Sequence, residues 1–190
     1  MPPLVVAIDG RSGAGKSTLA ILLRLELTTL WQSAAVAVIS GDDFYAGGSL
    51  AVWRSRSAED NANLVIDWQK EIDVLSTLRA TGQATWHAFD WQSDQWDSDA
   101  PPFSATESVC RSSRVVLLEG VYSARRELID VVDLRVLLQV EHETRLQQLH
   151  QRDGNVRDAE WARLWNEAED LYFEKLLDPQ TLDLVVEADG

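Results

Sequence analysis

Residues Gly10-Arg-Ser-Gly-Ala-Gly15-Lys16-Ser17 match the pattern G-x-x-x-x-G-K-[ST] at every fixed position. Such a run works in one setting, at the exit of a strand and the entry of a helix. Glycines there let successive backbone N–H groups converge on an anion without Cβ clashes, and the helix start adds its partial positive charge. The flanks supply that setting. Residues 4–8, Leu-Val-Val-Ala-Ile, form a short apolar run suited to a strand covered on both faces. From Lys16 onward Leu19, Leu22, Leu23, Leu27 and Leu30 recur at three- and four-residue spacing, which predicts a buried helix of about four turns. Gly10, Ser12, Gly13, Ala14, Gly15, Lys16, Ser17 and Thr18 are therefore the candidate nucleotide contacts. Lys16 is expected to reach the β- and γ-phosphates and Ser17 to ligate Mg²⁺.

The same alternation continues downstream. Residues 35–39 form a second apolar strand that runs into Ser40-Gly41-Asp42-Asp43. Asp67 stands at a helix N-cap position, with Trp68, Ile72, Leu75 and Leu78 on one face and Gly82 as the stop. A third strand is expected at 84–89. Two more are expected at 114–118 and 134–140, separated by a short helical stretch around 125–129. Helices follow at about 142–152 and 157–177, and a last strand at 182–186. Residues 90–113 carry Ser, Asp, Gln and Pro101-Pro102 without periodicity and read as a long surface loop. Strands alternating with helices predict an α/β fold, a P-loop NTPase three-layer αβα sandwich around a parallel sheet of roughly five strands. Its ligand is expected beyond the carboxyl ends of the strands. We expect residues 1–190 to make a single domain, with a substrate loop at about 86–108 and a short helical lid at about 150–160.

Charge narrows the partners. With 31 acidic and 17 basic residues the net charge is −14, which disfavours a nucleic-acid partner and an anionic membrane surface. No apolar run approaches the roughly 20 residues of a membrane span. Met1-Pro2-Pro3 leads into the first strand without a basic segment, so no signal peptide is expected. Cys110, the only cysteine, admits no internal disulfide. A cytoplasmic location is expected, and a homo-oligomer remains open.

Two acidic sites stand at strand ends. Glu119 closes the run Val115-Val-Leu-Leu and is, with Ser17, the candidate metal-side residue. Asp42 and Asp43 end the second strand; neighbouring extended residues point to opposite faces, so only one of them faces the cleft. A carboxylate there would accept the proton of an attacking hydroxyl.

Taken in order, Gly10-Arg-Ser-Gly-Ala-Gly-Lys-Ser-Thr18, Gly41-Asp-Asp-Phe-Tyr45, Glu119-Gly120 and Arg152-Asp153 resemble the uridine kinase and phosphoribulokinase family of P-loop kinases. The matches span nearly the whole chain. The resemblance implies transfer of the γ-phosphoryl group of ATP, as its Mg²⁺ complex, to a hydroxyl of a small metabolite. It implies Asp42 as the catalytic base, Tyr45 at the substrate pocket, and Asp67 in the place of an aspartate that holds sugar hydroxyls. The His-Pro that usually follows that aspartate is absent. Trp86, Phe89 and Trp91 lie where uridine kinases contact the base, in a different local sequence. Arg152 and Arg157 are expected to clamp the transferred phosphate, with Arg152 also catalytic alongside Lys16 and Asp42.

Uridine or cytidine is the leading acceptor; a sugar, glycerate, pantothenate or nicotinamide riboside is the alternative. A non-catalytic nucleotide-binding switch is the rival from another class, disfavoured by the lack of an N-K-x-D guanine motif. Trp86, Trp91 and Trp96 near the substrate loop are candidates for base stacking, whereas Trp161 and Trp165 are expected in the core. Arg125 and Arg126 are expected on a helix surface, and Arg54, Arg56 and Arg125 are the spare cations that a phosphorylated acceptor would require. His142, Glu143 and His150 lack metal-ligand spacing, and Cys110, in a loop without a nearby His, is not expected to act as a nucleophile.

Overall fold

The computed structural model describes residues 2–31, 36–93, 102–111, 113–153 and 159–188 of the chain. In order these form β1 (Leu4–Asp9), α1 (Lys16–Trp31), β2 (Val36–Ser40), α2 (Leu50–Ser55), α3 (Ala58–Leu64), α4 (Trp68–Thr81) and β3 (Gln83–Trp86). Then come β4 (Ser108–Arg111), β5 (Val115–Glu119), β6 (Leu134–Val140), α5 (His142–Asp153), α6 (Ala159–Leu171) and β7 (Leu184–Ala188). Five strands make a parallel sheet in the order β2-β5-β1-β6-β7. With β5 on one side of β1 and β6 on the other, the loop leaving β1 opens at the middle of the carboxyl edge, where such sheets bind ligands.

Successive strand residues face opposite layers. Val116 and Leu118 of β5 join Val5, Ala7 and Ile39 in one core with Leu75 and Leu78 of α4 and Leu164 and Ala168 of α6. Val115 and Leu117 turn the other way with Ile8, where Leu19, Ala20, Leu23 and Leu27 of α1 cover them. Coverage on both faces is why β1 and β5 read as unbroken apolar runs. The fold is the expected three-layer αβα sandwich on a five-stranded parallel sheet.

Several expectations need correction. α1 is only half covered: Leu22 is 54% and Leu30 72% exposed, because the stripe through Leu19, Leu23 and Leu27 takes the sheet-facing side. The strand expected at 84–89 ends at Trp86 and lies outside the main sheet, pairing antiparallel with β4 instead. β4 falls within the stretch that reads as loop, and Cys110 is buried in it, which pushes its thiol up and leaves it inert. The short α2 and α3 between Leu50 and Leu64 have no long periodic stretch to announce them. Their caps are the signal that does exist: Ser49 and Ser57 accept from Val52 N–H and Asp60 N–H. The helix expected to run to 177 is α6 followed by a π turn over Tyr172–Leu176. The last strand is displaced to Leu184–Ala188.

Arg125 is also corrected. It is 5% exposed, and its guanidinium donates to the Ala62 carbonyl at 2.7 Å, Asn63 Oδ1 at 2.7 Å and Glu127, while stacking 4.4 Å over the Trp68 ring. A buried cation so partnered ties α3 and α4 to the segment after β5.

Glu71 of α4 is buried in the same region, and its Oε2 has no hydrogen-bond partner. Burial first, then the Asp9 charge, against Arg125, push its carboxyl from 4.5 up to about 8. The folded state thus holds a proton that the unfolded chain releases near pH 4.5, so stability falls as pH rises from about 4.5 to about 8. Glu71→Gln should flatten this slope, raising stability at pH 8.5 by roughly a few kcal/mol relative to the parent. Urea midpoints at pH 5.5 and 8.5 for both chains check it.

Candidate active site

Gly10, Gly13 and Gly15 adopt φ of 155°, 82° and 87°, the region that favours glycine. Close packing adds a second constraint: a Cβ at Gly10 would stand 2.5 Å from the Leu138 carbonyl oxygen, and one at Gly13 2.6 Å from Leu149 Cγ. Lys16, nearly buried, donates from Nζ to the Arg11 carbonyl at 3.0 Å and so lies across the loop. One residue on, Ser17 Oγ donates to Glu119 Oε2 at 3.0 Å. The loop is thus a glycine cradle, and beside it a hydroxyl and a carboxylate, the hard oxygen donors a Mg²⁺ ion takes, are already adjacent. These residues fit a Mg-nucleotide. Beside the loop a cavity of about 560 Å³ is bordered by Arg11, Ala14, Arg145, Phe173 and the carboxyl ends of β6 and β7.

Two further glycines bring the acidic residues together. Ser40 pairs in register with Glu119, and the glycine after each approaches the other: a Cβ on Gly120 would lie 3.2 Å from Gly41 Cα. Asp42 therefore stands close enough to Glu119 to act on its charge. Burial, with Asp42 second, pushes the Glu119 carboxyl up, opposed by Lys16 and by hydrogen bonds from Ser17 and Ser40. Asp42 and Asp43 separate cleanly. The Asp43 carboxylate accepts the Trp86 indole N–H at 2.8 Å, and its partial burial raises its pKa. The Asp42 side chain is exposed.

On the substrate side Tyr45 is buried, donates to the Gly48 carbonyl at 3.0 Å and accepts from Trp53 Nε1 at 2.9 Å. Its ring packs against Phe89 and Trp91 at 4.8 and 4.7 Å. Trp86 and Phe89 are buried, whereas Trp91 is 39% exposed and donates its indole N–H to the Asp42 carbonyl. Trp161 and Trp165 are buried, as expected of core residues. Asp67 is an exposed N-cap that accepts from Lys70 N–H at 3.0 Å. Arg152 belongs to α5, but its side chain, together with Arg157 and Trp96, lies outside the described residues.

Residues 5–181 match the model of the phosphoribulokinase / uridine kinase family. The chain belongs to that family. It is a P-loop kinase of the uridine kinase and phosphoribulokinase type, and kinases of this family use ATP, typically with Mg²⁺. No curated protein matches the sequence. Among solved structures, a possible uridine kinase from Bacillus stearothermophilus superposes with a TM-score of 0.67 at 23% identity, covering 97% of this chain and 89% of that one. A protein described as a fructose transport system kinase from Silicibacter gives 0.68 at 23%, with 97% and 90% covered. D-glycerate 3-kinase from Cryptococcus neoformans gives 0.67 at 17%, with 98% and 86% covered. These likenesses are of fold. Among the described residues no helix is long and apolar enough to cross a membrane.

One residue of this family member escapes sequence reading altogether. Asp9, fully buried, precedes the loop, and its carboxylate accepts from Gly10 N–H (2.7 Å), Tyr122 N–H (3.0 Å), Ala124 N–H (2.9 Å) and Tyr172 O–H (2.6 Å). Burial raises its pKa, opposed by the bonds from Tyr172, Ala124 and Gly10 and by the Lys16 charge. Tyr122 sits at φ 76°, costly for a bulky side chain, and its amide is one of the four. The only trace of this in the sequence is an acid ending a strand otherwise too apolar to hold one. Tyr172→Phe removes one donor to a buried carboxylate and should cost about 1.5–3 kcal/mol of stability, read by urea denaturation.

Proposed function

We propose that the chain transfers the γ-phosphoryl group of ATP to a hydroxyl of a small neutral metabolite, with uridine or cytidine as the leading acceptor. The observation that carries the reading is the division of labour between Asp42 and Asp43. One carboxylate is committed to the Trp86 indole, and the other is exposed beside the Ser17–Glu119 pair. Bound Mg·ATP would supply the transferable phosphoryl group and a divalent charge. Ser17 and Glu119 would hold the metal, and the glycine loop amides with Lys16 would hold the phosphates. Asp42 would orient the acceptor hydroxyl and take its proton as the oxygen attacks. Arg152 and Arg157 would add positive charge to the transferred group. The half-exposed Trp91, hydrogen-bonded to the backbone of Asp42, offers a flat face for a base near that carboxylate. We place the donor base in the cavity beside Arg145 and Phe173.

A neutral acceptor is favoured because the candidate spare arginines are engaged. Arg54 pairs with Glu160, Arg56 donates to the Gly47 carbonyl at 2.9 Å, and Arg125 is buried among its own partners. A second reading, another small alcohol such as a sugar or glycerate, draws on Asp67, which here is occupied as a helix cap.

ADP release with Mg·ATP is to be measured across nucleosides, sugars and vitamin alcohols, each against a blank without acceptor. Turnover with uridine or cytidine is expected; turnover with a different alcohol would retain the chemistry and replace the acceptor. Silence across the panel with ATP bound would favour a nucleotide switch. Asp42→Asn should lower turnover by roughly 10²- to 10⁴-fold with ATP binding retained, whereas Asp43→Asn should chiefly perturb stability. The reverse pattern would move the base to Asp43. Lys16→Ala should abolish turnover, and unchanged activity would refute the phosphate-loop assignment.

A further inference from the structure

α6 directs two side chains, one turn apart, onto the phosphate loop. Glu169 is fully buried, and both of its carboxylate oxygens accept the Ser12 backbone N–H at 3.2 Å. It also accepts the Ser12 hydroxyl and the indole N–H of Trp165. Trp165 in turn donates to Ser12 Oγ at 3.0 Å. From α5, the buried Arg145 donates to the Ser12 carbonyl at 3.1 Å and stands 4.0 Å from Glu169. Every polar group of Ser12 is therefore held from outside the loop, its N–H and hydroxyl by Glu169 and its carbonyl by Arg145.

Burying a carboxylate is costly, and a well-packed apolar residue in its place is often neutral or stabilising. What a carboxylate supplies that an apolar side chain lacks is geometry. It accepts an amide and a hydroxyl of one residue together, which fixes both the backbone and the χ1 of Ser12 at the turn of the loop. Preorganisation of this kind is what a phosphate cradle requires, since amides already aimed need not be ordered when the anion arrives.

We propose that Glu169 is a positioning residue of the phosphate loop: through Ser12, and with Trp165 and Arg145 beside it, it sets the loop in its phosphate-binding geometry. The proposal rests on the reading of that loop as the donor site. Glu169 touches no reacting atom in this scheme and acts through Ser12. Glutamine is the informative replacement: its one oxygen can still face the Ser12 hydroxyl and the indole, but it carries no charge, and the Ser12 N–H, shared between both carboxylate oxygens, loses one of its two acceptors.

Mg·ATP binding to the whole chain, measured by titration calorimetry, is the test. Glu169→Gln should weaken binding about tenfold, the effect of turning charge-assisted hydrogen bonds to Ser12 into neutral ones. Trp165→Phe, which keeps the ring packing and removes the indole donor, should weaken it about threefold. The double variant should be within about twofold of Glu169→Gln, because both act by one route. A spectroscopic readout separates positioning from general loosening: the Ser12 amide and the Trp165 indole proton resonances should both move upfield in Glu169→Gln while the other indole resonances stay in place. Binding within twofold of the parent, or tighter than the parent, in a folded Glu169→Gln chain would overturn the proposal. Were that variant not to fold, Trp165→Phe decides, and parental binding there would overturn it. A parent chain that bound no Mg·ATP would instead refute the donor-site reading itself, an outcome distinct from any difference between variants.

Discussion

The site depends on one buried carboxylate, Asp9, at the carboxyl end of the central strand. Its two oxygens take four donors from three parts of the chain: the first loop amide, two amides of the turn after β5, and a hydroxyl from the π turn that continues α6. Each of those parts supplies something the proposed chemistry requires. The first opens the phosphate loop, the second follows Glu119, and the third continues the helix that carries Trp165 and Glu169. An ion pair would do this less well, because a lone carboxylate among amides has no mobile partner and its lone pairs define directions. The left-handed backbone of Tyr122 is tolerated because that residue's amide is one of the four donors.

Electrostatics of the whole and of the site point in opposite directions. The chain carries −14, yet its family's donor, ATP, is a polyanion. At physiological ionic strength charges beyond about 8 Å are largely screened, so the local field decides. That field comes from loop amides, Lys16 and the start of α1, whereas Glu119 and Asp42 stand together on the metal side. Their repulsion adds to burial in raising the Glu119 carboxyl, and it is the kind of arrangement that a divalent cation relieves.

Much of this is legible in the residues, and the reasons differ from part to part. The parallel sheet is readable because strands covered on both faces leave continuous apolar runs, as in residues 4–8 and 115–118. The loop is readable because its glycines are required by backbone angles and close packing, not by local preference. The pairing of Ser17 with Glu119 follows from the expectation that strand ends meet at the sheet edge. What sequence reading misses is local structure whose cause lies far away. β3 is readable as a strand, but its antiparallel partner β4 is four residues at the end of a long connection, so neither β4 nor the pairing has a pattern of its own. Arg125 reads as a surface charge until its partners, more than 60 residues distant, are known. Asp9 and Glu169 are further cases, because a buried acid is recognisable only from the donors around it.

The buried network also bears on the proposal of a neutral acceptor. Three arginines around the site have structural work: Arg145 holds Ser12, Arg11 pairs with Asp170 while lying 5.0 Å from the Phe173 ring, and Arg125 closes α3 against the turn after β5. Arg11 and Arg145 border the cavity proposed for the donor, and drawing Arg145 to a new anion would leave Glu169 without its cation. For the fully buried Glu169 that loss is severe, because an unpaired buried charge costs more than a new ion pair to an exposed phosphate contributes. A neutral acceptor needs only hydrogen bonds and an aromatic face, which the exposed Asp42 and half-exposed Trp91 offer without disturbing any existing pair. The proposal of a neutral acceptor thus rests as much on which charges are already committed to holding the phosphate loop as on what the pocket adds.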